Sequence, residues 1–163
     1  MNAAEFSPAL QAKLDDQIKV LLQIASDQAI VQAVKAQNSS LPPELAAMTQ
    51  DKWKAANVLD PTVRALTKNA AAEALRTKKG EVFSEAFLSD ANGLKVAFLA
   101  KTTNWSHKGK AKHEVPMTGK PWQGEIEVDA SSGLQQIQIS VPVLDGTTPI
   151  GSLVVGLAIS KLK

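Results

Sequence analysis

The 163-residue chain is long enough to bury a hydrophobic core, and its net charge of +2 and 4% aromatic content argue against a nucleic-acid-binding surface. It has no cysteine, which excludes disulfides and thiolate chemistry. No stretch reaches the roughly 18 apolar residues expected of a membrane span. We therefore expect one domain over residues 1–163, without a nucleic-acid partner.

The first part of the chain, residues 1–79, is predicted to be helical. Ser7-Pro8 can begin the first helix, because serine caps a helix and proline suits its first turn. Apolar residues then recur every three or four positions from Leu10 to Val34. This stripe indicates one long helix or, if Ser26-Asp27 caps a second segment, two consecutive helices. Pro42-Pro43 and Asp60-Pro61 each begin a further predicted helix.

Five β-strands are predicted in residues 80–163, where Val, Ile, Leu and Phe cluster between turn residues. The last strand is apolar on both faces apart from Ser152, so it should be central. Placing it between the first and fourth strands gives an antiparallel sheet of order 2-1-5-4-3. Helices followed by strands indicate an α+β fold with the helices packed on the sheet. The predicted strands are Glu81–Ser89, Leu94–Ala100, Gln123–Asp129, Leu134–Leu144 and Pro149–Ile159.

The third and fourth predicted strands alternate apolar and polar residues. In the third, Ile126 and Val128 oppose Glu125 and Glu127. One face of this half of the sheet is therefore expected to be core, and the other to be wet or to line a polar cavity.

The connection between the second and third strands, Lys101 to Trp122, is far longer than a hairpin turn. Long ordered loops in compact domains are more often functional than idle. Five lysines and both histidines lie between Asp90 and Glu114, a stretch that contains no carboxylate. This positive charge favours an anionic ligand, although a solvated lysine-rich loop would have the same composition.

Three segments, taken in order, resemble a known family. Ser89–Ala97 looks like the first hairpin of the extracellular sensor domains called Cache, which have a PAS-like fold. Lys101-Thr102-Thr103-Asn104-Trp105 resembles the Lys-Thr-Ser-Asp-Tyr segment of that family, and Val141–Gly146 followed by Pro149-Ile150-Gly151 resembles its last hairpin. The resemblance implies an input domain of bacterial signalling proteins that binds small molecules, commonly carboxylates or amino acids, between the sheet and the long loop.

The resemblance places the pocket rim at the end of the second strand. We expect Lys101, Thr103 and Asn104 to hold a small carboxylate by charge and hydrogen bonds, with Trp105 as a wall and His107 at the mouth. The sequence from Asn104 to His113 departs from the acidic and aromatic pattern of relatives, so their ligands need not transfer. No metal site is predicted, because the two histidines lack a helical ligand spacing and a third strong ligand. No catalytic residue or cofactor is predicted either, because the sequence has no Gly-rich phosphate loop and no Gly-x-Ser-x-Gly elbow.

Two other functional classes are compatible with the sequence. The chain could be a structural or dimerisation module with a vestigial pocket, or a small cone-shaped enzyme with an acid-base pocket. The resemblance also implies a location on the periplasmic or extracellular side of a bacterial membrane, with a signal peptide or anchor preceding Met1. A homodimer through the N-terminal helix is expected, because its apolar stripe is longer than a small sheet can cover. A membrane-anchored signalling partner is the expected recipient of the signal.

Overall fold

The computed structural model describes residues 6–128 and 133–162 of the chain. Asp129, where the third predicted strand ends, and Ser131-Ser132 of the following turn lie outside the described residues. A 3-10 helix at Ile159–Lys161 follows the last strand. The elements are, in chain order, α1 (Pro8–Ala25), α2 (Gln28–Ser39), α3 (Pro43–Ala46), α4 (Gln50–Ala55), α5 (Pro61–Leu66), α6 (Ala70–Lys78), β1 (Phe83–Ser89), β2 (Lys95–Phe98), α7 (Ala111–Met117), β3 (Trp122–Val128), β4 (Gln135–Asp145) and β5 (Thr148–Ala158).

The strands form one antiparallel sheet in the order β2-β1-β5-β4-β3, which confirms the predicted α+β fold and sheet order. β5 is central: Val154 pairs with Phe87 of β1, and Val155 pairs with Ile139 of β4. Its residues are buried on both faces from Gly151 onward, which explains its continuous apolar sequence.

The helices are shorter and more numerous than the simplest prediction. Asp27 accepts a hydrogen bond from the backbone N–H of Ala29 (2.8 Å), so α1 and α2 are two helices rather than one. The helix predicted from Pro42-Pro43 is divided into α3 and α4 by the cap residue Thr49. Asn69 likewise caps α6, which divides the helix predicted from Asp60-Pro61 into α5 and α6.

One face of the sheet packs against the helices of the N-terminal part. The apolar stripe of α1 and α2 includes Leu14, Leu21, Ile30 and Val34, all fully buried. These residues belong to one cluster with the inward-facing residues of β1, β4 and β5. Burial of each such side chain contributes about 1.5 to 3 kcal/mol, so this layer supplies much of the stabilisation of the fold.

The predicted core face does not extend to the edge strand. Ile126 and Val128 of β3 are 42% and 64% exposed, whereas Ile137 and Ile139 on the adjacent β4 are fully buried. α1 packs mainly over β4, and β3 lies at the edge of the sheet beyond it. The alternation of β3 is present in the sequence, but the helical layer is too narrow to cover it.

The long connection contains a helix that the sequence analysis did not predict. α7 packs on β5, β4 and β3. Glu114 accepts a hydrogen bond from the backbone N–H of Gly109 (2.7 Å) and so closes the turn before the helix. α7 has only seven residues and contains Pro116, so its sequence is too short and too irregular to show the apolar periodicity from which a helix is predicted.

Candidate functional site

The segment predicted to form the pocket rim is fixed to α4. The indole N–H of Trp53 donates to the carbonyl oxygen of Thr102 (2.8 Å). The side chain of Gln50 donates to the carbonyl oxygen of Thr103 (3.0 Å) and accepts from the backbone N–H of Trp105 (2.8 Å). These bonds satisfy backbone groups of an irregular segment and hold it in one conformation.

This segment encloses a cavity of about 240 Å³ against the sheet and α7. Such a volume lies below the usual range for drug-sized ligands and suits a small molecule. The sheet contributes Glu85, Phe87 and Gln138 to its lining, the connection contributes residues 101–104 and His107, and α7 contributes Lys112.

Four of the five predicted site residues line this cavity: Lys101, Thr103, Asn104 and His107. His107 is only 5% exposed and therefore lies in the wall rather than at the mouth. Trp105 does not line the cavity. It is buried in a second core cluster, where its ring centroid lies 5.0 Å from that of Trp53.

Lys101 is half-buried, and its ammonium lies 5.3 Å from the centroid of the Trp53 ring. The aromatic face attracts a cation, and this contact holds the end of the Lys101 side chain beside the cavity.

The structure adds three polar residues that the sequence analysis did not assign to the site. Nζ of Lys112 donates to Oε1 of Gln138 (2.7 Å), and Nε2 of Gln138 donates to Oε1 of Glu85 (2.7 Å). Burial lowers the pKa of Lys112, while Glu127 and Glu85 oppose that shift. The alternation of polar and apolar residues in β4 predicts that Gln138 lies on a wet or cavity-lining face. The position of Lys112 next to Gln138 depends on α7, which the sequence did not predict.

His107 is part of a buried group on the wall of the cavity. Its ring stacks on Phe87, with centroids 4.7 Å apart, and its Nδ1 contacts Nζ of Lys95. Burial lowers the pKa of Lys95 to about 7, with Asp90 opposing and Lys112 adding to the shift. Burial, followed by the charge of Lys95, lowers the pKa of His107 to about 3, so its ring is neutral near pH 7.

Both ring nitrogens of His113 are bonded within the fold, so this side chain has a structural role. Its Nδ1 is 2.7 Å from Oγ of Ser152, and its Nε2 is 3.2 Å from the carbonyl oxygen of Ala91. These bonds connect α7 to β5 and to the β1–β2 turn, and the side chain is 1% exposed. Within residues 6–128 and 133–162, no three His, Cys, Asp or Glu side chains are grouped as metal ligands would be.

Solved sensor domains have a similar fold. The ligand-binding domain of the Pseudomonas aeruginosa PAO1 amino acid chemoreceptor PctC, in complex with GABA, gives a TM-score of 0.53 at 15% identity, covering 94% of this chain and 57% of that one. The E. coli DcuS sensor domain gives 0.51 at 12% identity, covering 96% of each chain. The ligand-binding domain of the Pseudomonas fluorescens chemoreceptor CtaA, in complex with L-valine, gives 0.50 at 17% identity, covering 94% of this chain and 56% of that one.

This chain therefore spans just over half of the two chemoreceptor domains and nearly all of the DcuS domain. No protein-family model and no curated protein matches the sequence. None of the helices in the described part of the chain has the length and apolar character needed to cross a membrane. At identities of 12 to 17% the likeness is one of fold, and the chain has the fold of bacterial ligand-binding sensor domains, as its resemblance to Cache domains predicts.

Proposed function

We propose that the whole chain acts as one sensor domain that binds a small carboxylate or amino acid for bacterial signal transduction or chemotaxis. The observation that supports this most directly is the cavity between β1, β4, α7 and the segment after β2. Lys101, Lys112 and His107 converge there with the hydroxyl and amide groups of Thr103 and Asn104. A carboxylate that leaves water needs cations and hydrogen-bond donors to offset its desolvation, and this lining supplies both.

Glu85 extends the proposed ligand class from carboxylates to amino acids. It lies in the same lining as Lys101 and Lys112, so the cavity is lined by both acidic and basic groups. A free amino acid carries both charges. GABA and L-valine, the ligands of the PctC and CtaA domains, are also of this kind.

The test is a thermal-shift and calorimetric screen of short-chain carboxylates and amino acids, including acetate and L-alanine. Lys101→Met should keep most of the packing of the side-chain stem and delete the charge. We expect the variant to fold and its affinity to fall by roughly ten- to a hundred-fold, the equivalent of one lost charge-assisted hydrogen bond. Lys108→Met is the matched control, because Lys108 lies in the same connection but is exposed and does not line the cavity.

Two outcomes would contradict the proposal. If no carboxylate or amino acid raises the melting temperature of the wild type, the cavity is not a site for this class. If Lys101→Met and Lys108→Met bind the best ligand equally well, Lys101 does not hold it. A cavity without ligands would favour a structural or dimerisation module instead.

Dimerisation through the N-terminal helix remains part of the proposal. Most of the α1 stripe is buried against the sheet, but Val20 and Leu22 are 41% and 38% exposed. They flank the buried stripe on opposite sides, because residues two apart do not share a helix face, so Val20, the more exposed, offers an apolar contact for a second copy. Sedimentation of the wild type should show a dimer that Val20→Lys weakens, and a monomer at high concentration would remove this claim.

We also propose that the chain acts outside the cytoplasmic membrane and passes its signal to a membrane-anchored partner. The shared fold with chemoreceptor ligand-binding domains supports this placement. Fractionation of the native host should find the protein on the periplasmic or extracellular side of the membrane. Recovery in the cytoplasm would contradict the placement without affecting the binding site.

A further inference from the structure

Lys95 places a fully buried amine directly behind the cavity. Its side chain is 0% exposed. Its Nζ contacts Nδ1 of His107, donates to the carbonyl oxygen of Trp105 (3.3 Å) and lies 5.0 Å from the centroid of the Phe87 ring. Because His107 and Phe87 both line the cavity, Lys95 is separated from a bound ligand by one layer of side chains.

The amine has no ion-pair partner within the described residues. The nearest acid that influences it is Asp90, whose carboxylate is occupied by other donors. Oδ1 of Asp90 accepts from the backbone N–H groups of Asn92 and Leu94, and Oδ2 accepts from Nε2 of Gln37. A buried charge without a close counter-ion is costly. When the cavity is empty, no anion lies close enough to offset the cost of charging Lys95.

We propose that Lys95 is a positioning residue of the binding site, which takes up a proton when a carboxylate binds to His107 in the cavity. A charged ammonium can only donate, so Nδ1 of His107 must accept and the ring proton must sit on Nε2. Nε2 has no protein partner in the part of the chain that the structure describes, and it can therefore donate to the ligand. The inference rests on the proposed carboxylate or amino acid ligand.

The surrounding charges agree with this assignment. Burial brings the pKa of Lys95 to about 7, against the opposing field of Asp90 and with the added repulsion of Lys112 from α7. The imidazole between Lys95 and the cavity stays neutral, because burial and then Lys95, Lys112, His113 and Lys110 lower its pKa to about 3. Lys95 is thus only partly charged near pH 7 in the empty protein, and a bound anion would raise its protonated fraction.

The test uses the wild-type protein, with acetate and L-alanine as probes. Each probe is titrated calorimetrically at pH 6, 7 and 8, at each pH in two buffers that have different ionisation enthalpies and that contain no phosphate, whose anion would compete for the cavity. The carboxylates of both probes are ionised throughout this range, so proton uptake reports on the protein. We expect a fraction of a proton to be taken up at pH 7, more at pH 8 and less at pH 6, with affinity falling as the pH rises from 6 to 8.

Two variants distinguish proton uptake that depends on the contact between His107 and Lys95 from a general effect of packing on binding. His107→Phe can still stack on Phe87 but breaks the connection to Lys95, so proton uptake should be lost and affinity should fall. Lys108→Met should keep both the uptake and the affinity of the wild type, because its side chain is exposed.

The outcomes separate this inference from the proposed function. Binding heats that are equal in the two buffers at pH 7 and 8 would overturn the role of Lys95 and leave the binding site in place. Full proton uptake in folded His107→Phe would show that the imidazole does not connect the ligand to Lys95, and would overturn the inference. Failure of both probes and of every other compound in the screen to bind would overturn the proposed function and this inference together.

Discussion

Lys95 is fully buried, with its amine against the rings of His107 and Phe87. Lysines are almost never fully buried without a partner, and in the sequence Lys95 is one of five lysines of a basic stretch. The structure puts it opposite Ser89 in the β1–β2 pairing, on the face of the sheet that also carries Phe87. An irregularity between Leu88 and Ser89 sets this register. Sequence alternation alone does not reveal such a shift.

The buried amine should make stability depend on pH in a defined direction. The pKa of Lys95 falls from 10.5 to about 7 on folding, so between these values the unfolded chain binds more protons. The free energy of unfolding therefore rises with pH in this window, by about 1.4 kcal/mol per pH unit from this residue. Below pH 7 the amine is charged in both states, so the stability gained at higher pH is lost and this residue no longer makes the free energy of unfolding depend on pH.

We expect wild type to gain about 2 kcal/mol relative to Lys95→Met between pH 7 and pH 9, as measured by urea unfolding. Lys108→Met serves as the control and should follow the wild-type pH profile, because its side chain is in water in both states. Parallel profiles for wild type and Lys95→Met would show that the amine titrates in the native protein as it does in water.

At the scale of elements, the hydrophobic pattern predicted the strands well and the short helices poorly. Each predicted strand differs from the observed one by no more than a few residues, because runs of β-branched, aliphatic and aromatic residues end at turn residues on both sides. α3, α4 and α5 have four to six residues each, and α4 and α5 begin at the single cap residues Thr49 and Asp60. α7 is also short, so from sequence alone Lys112 belonged to a basic loop that could bind an anion or be solvated.

The candidate site could be predicted only where it is continuous in sequence. Lys101, Thr103 and Asn104 follow β2 directly, so the resemblance located them without knowledge of tertiary structure. Glu85 and Gln138 come from two strands that are separated by β5 in the sheet. Their proximity depends on strand order and register, which the sequence constrains only through the fold.

The β1–β2 turn supports the segment that forms the cavity. Gly93 has φ of 78°, and a Cβ at this position would lie 2.5 Å from the backbone nitrogen of Lys108. The carbonyl oxygen of Gly93 accepts from the backbone N–H of His107 (2.9 Å). The turn therefore requires glycine both for its conformation and for the close approach of the connection.

Gly93→Ala should lower the free energy of unfolding by more than Gly146→Ala. Gly146 also has positive φ (63°), but a Cβ added there would meet no atom within 4 Å, so it reports the cost of backbone strain alone. We expect about 1 kcal/mol for Gly146→Ala and at least about 1 to 3 kcal/mol more for Gly93→Ala, from urea unfolding. Equal losses would mean that the connection moves away from the turn without cost.

At the scale of the whole molecule, the sheet separates two cores with different roles. The larger core lies against α1, α2 and α6 and holds the helices on the sheet. The smaller core contains Trp53, Phe98, Trp105 and Val154 and supports the segment that lines the cavity. Stability and ligand binding should therefore respond differently to changes on the two faces.

Trp53 connects the smaller core to the cavity. Its indole donates to the carbonyl oxygen of Thr102, and its ring lies beneath the ammonium of Lys101 and against Phe98 and Trp105. Trp53→Phe would keep an aromatic ring in the core but leave the Thr102 carbonyl without this donor. In the wild type the indole holds residues 101–105 in place before a ligand binds. In the variant, part of the binding free energy would be spent on ordering this segment.

We expect Trp53→Phe to weaken binding of the best ligand of the screen by several-fold, measured by calorimetry at a temperature where the protein is fully folded. The matched control is Leu21→Val, which removes one methylene from the larger core, far from the cavity lining, at a cost of about 1 kcal/mol. Leu21→Val should lower the melting temperature without changing affinity, because the hydrogen bonds from α4 to the segment remain intact. If both variants lose affinity in proportion to their lost stability, binding depends on the stability of the whole domain rather than on the support that Trp53 gives to residues 101–105.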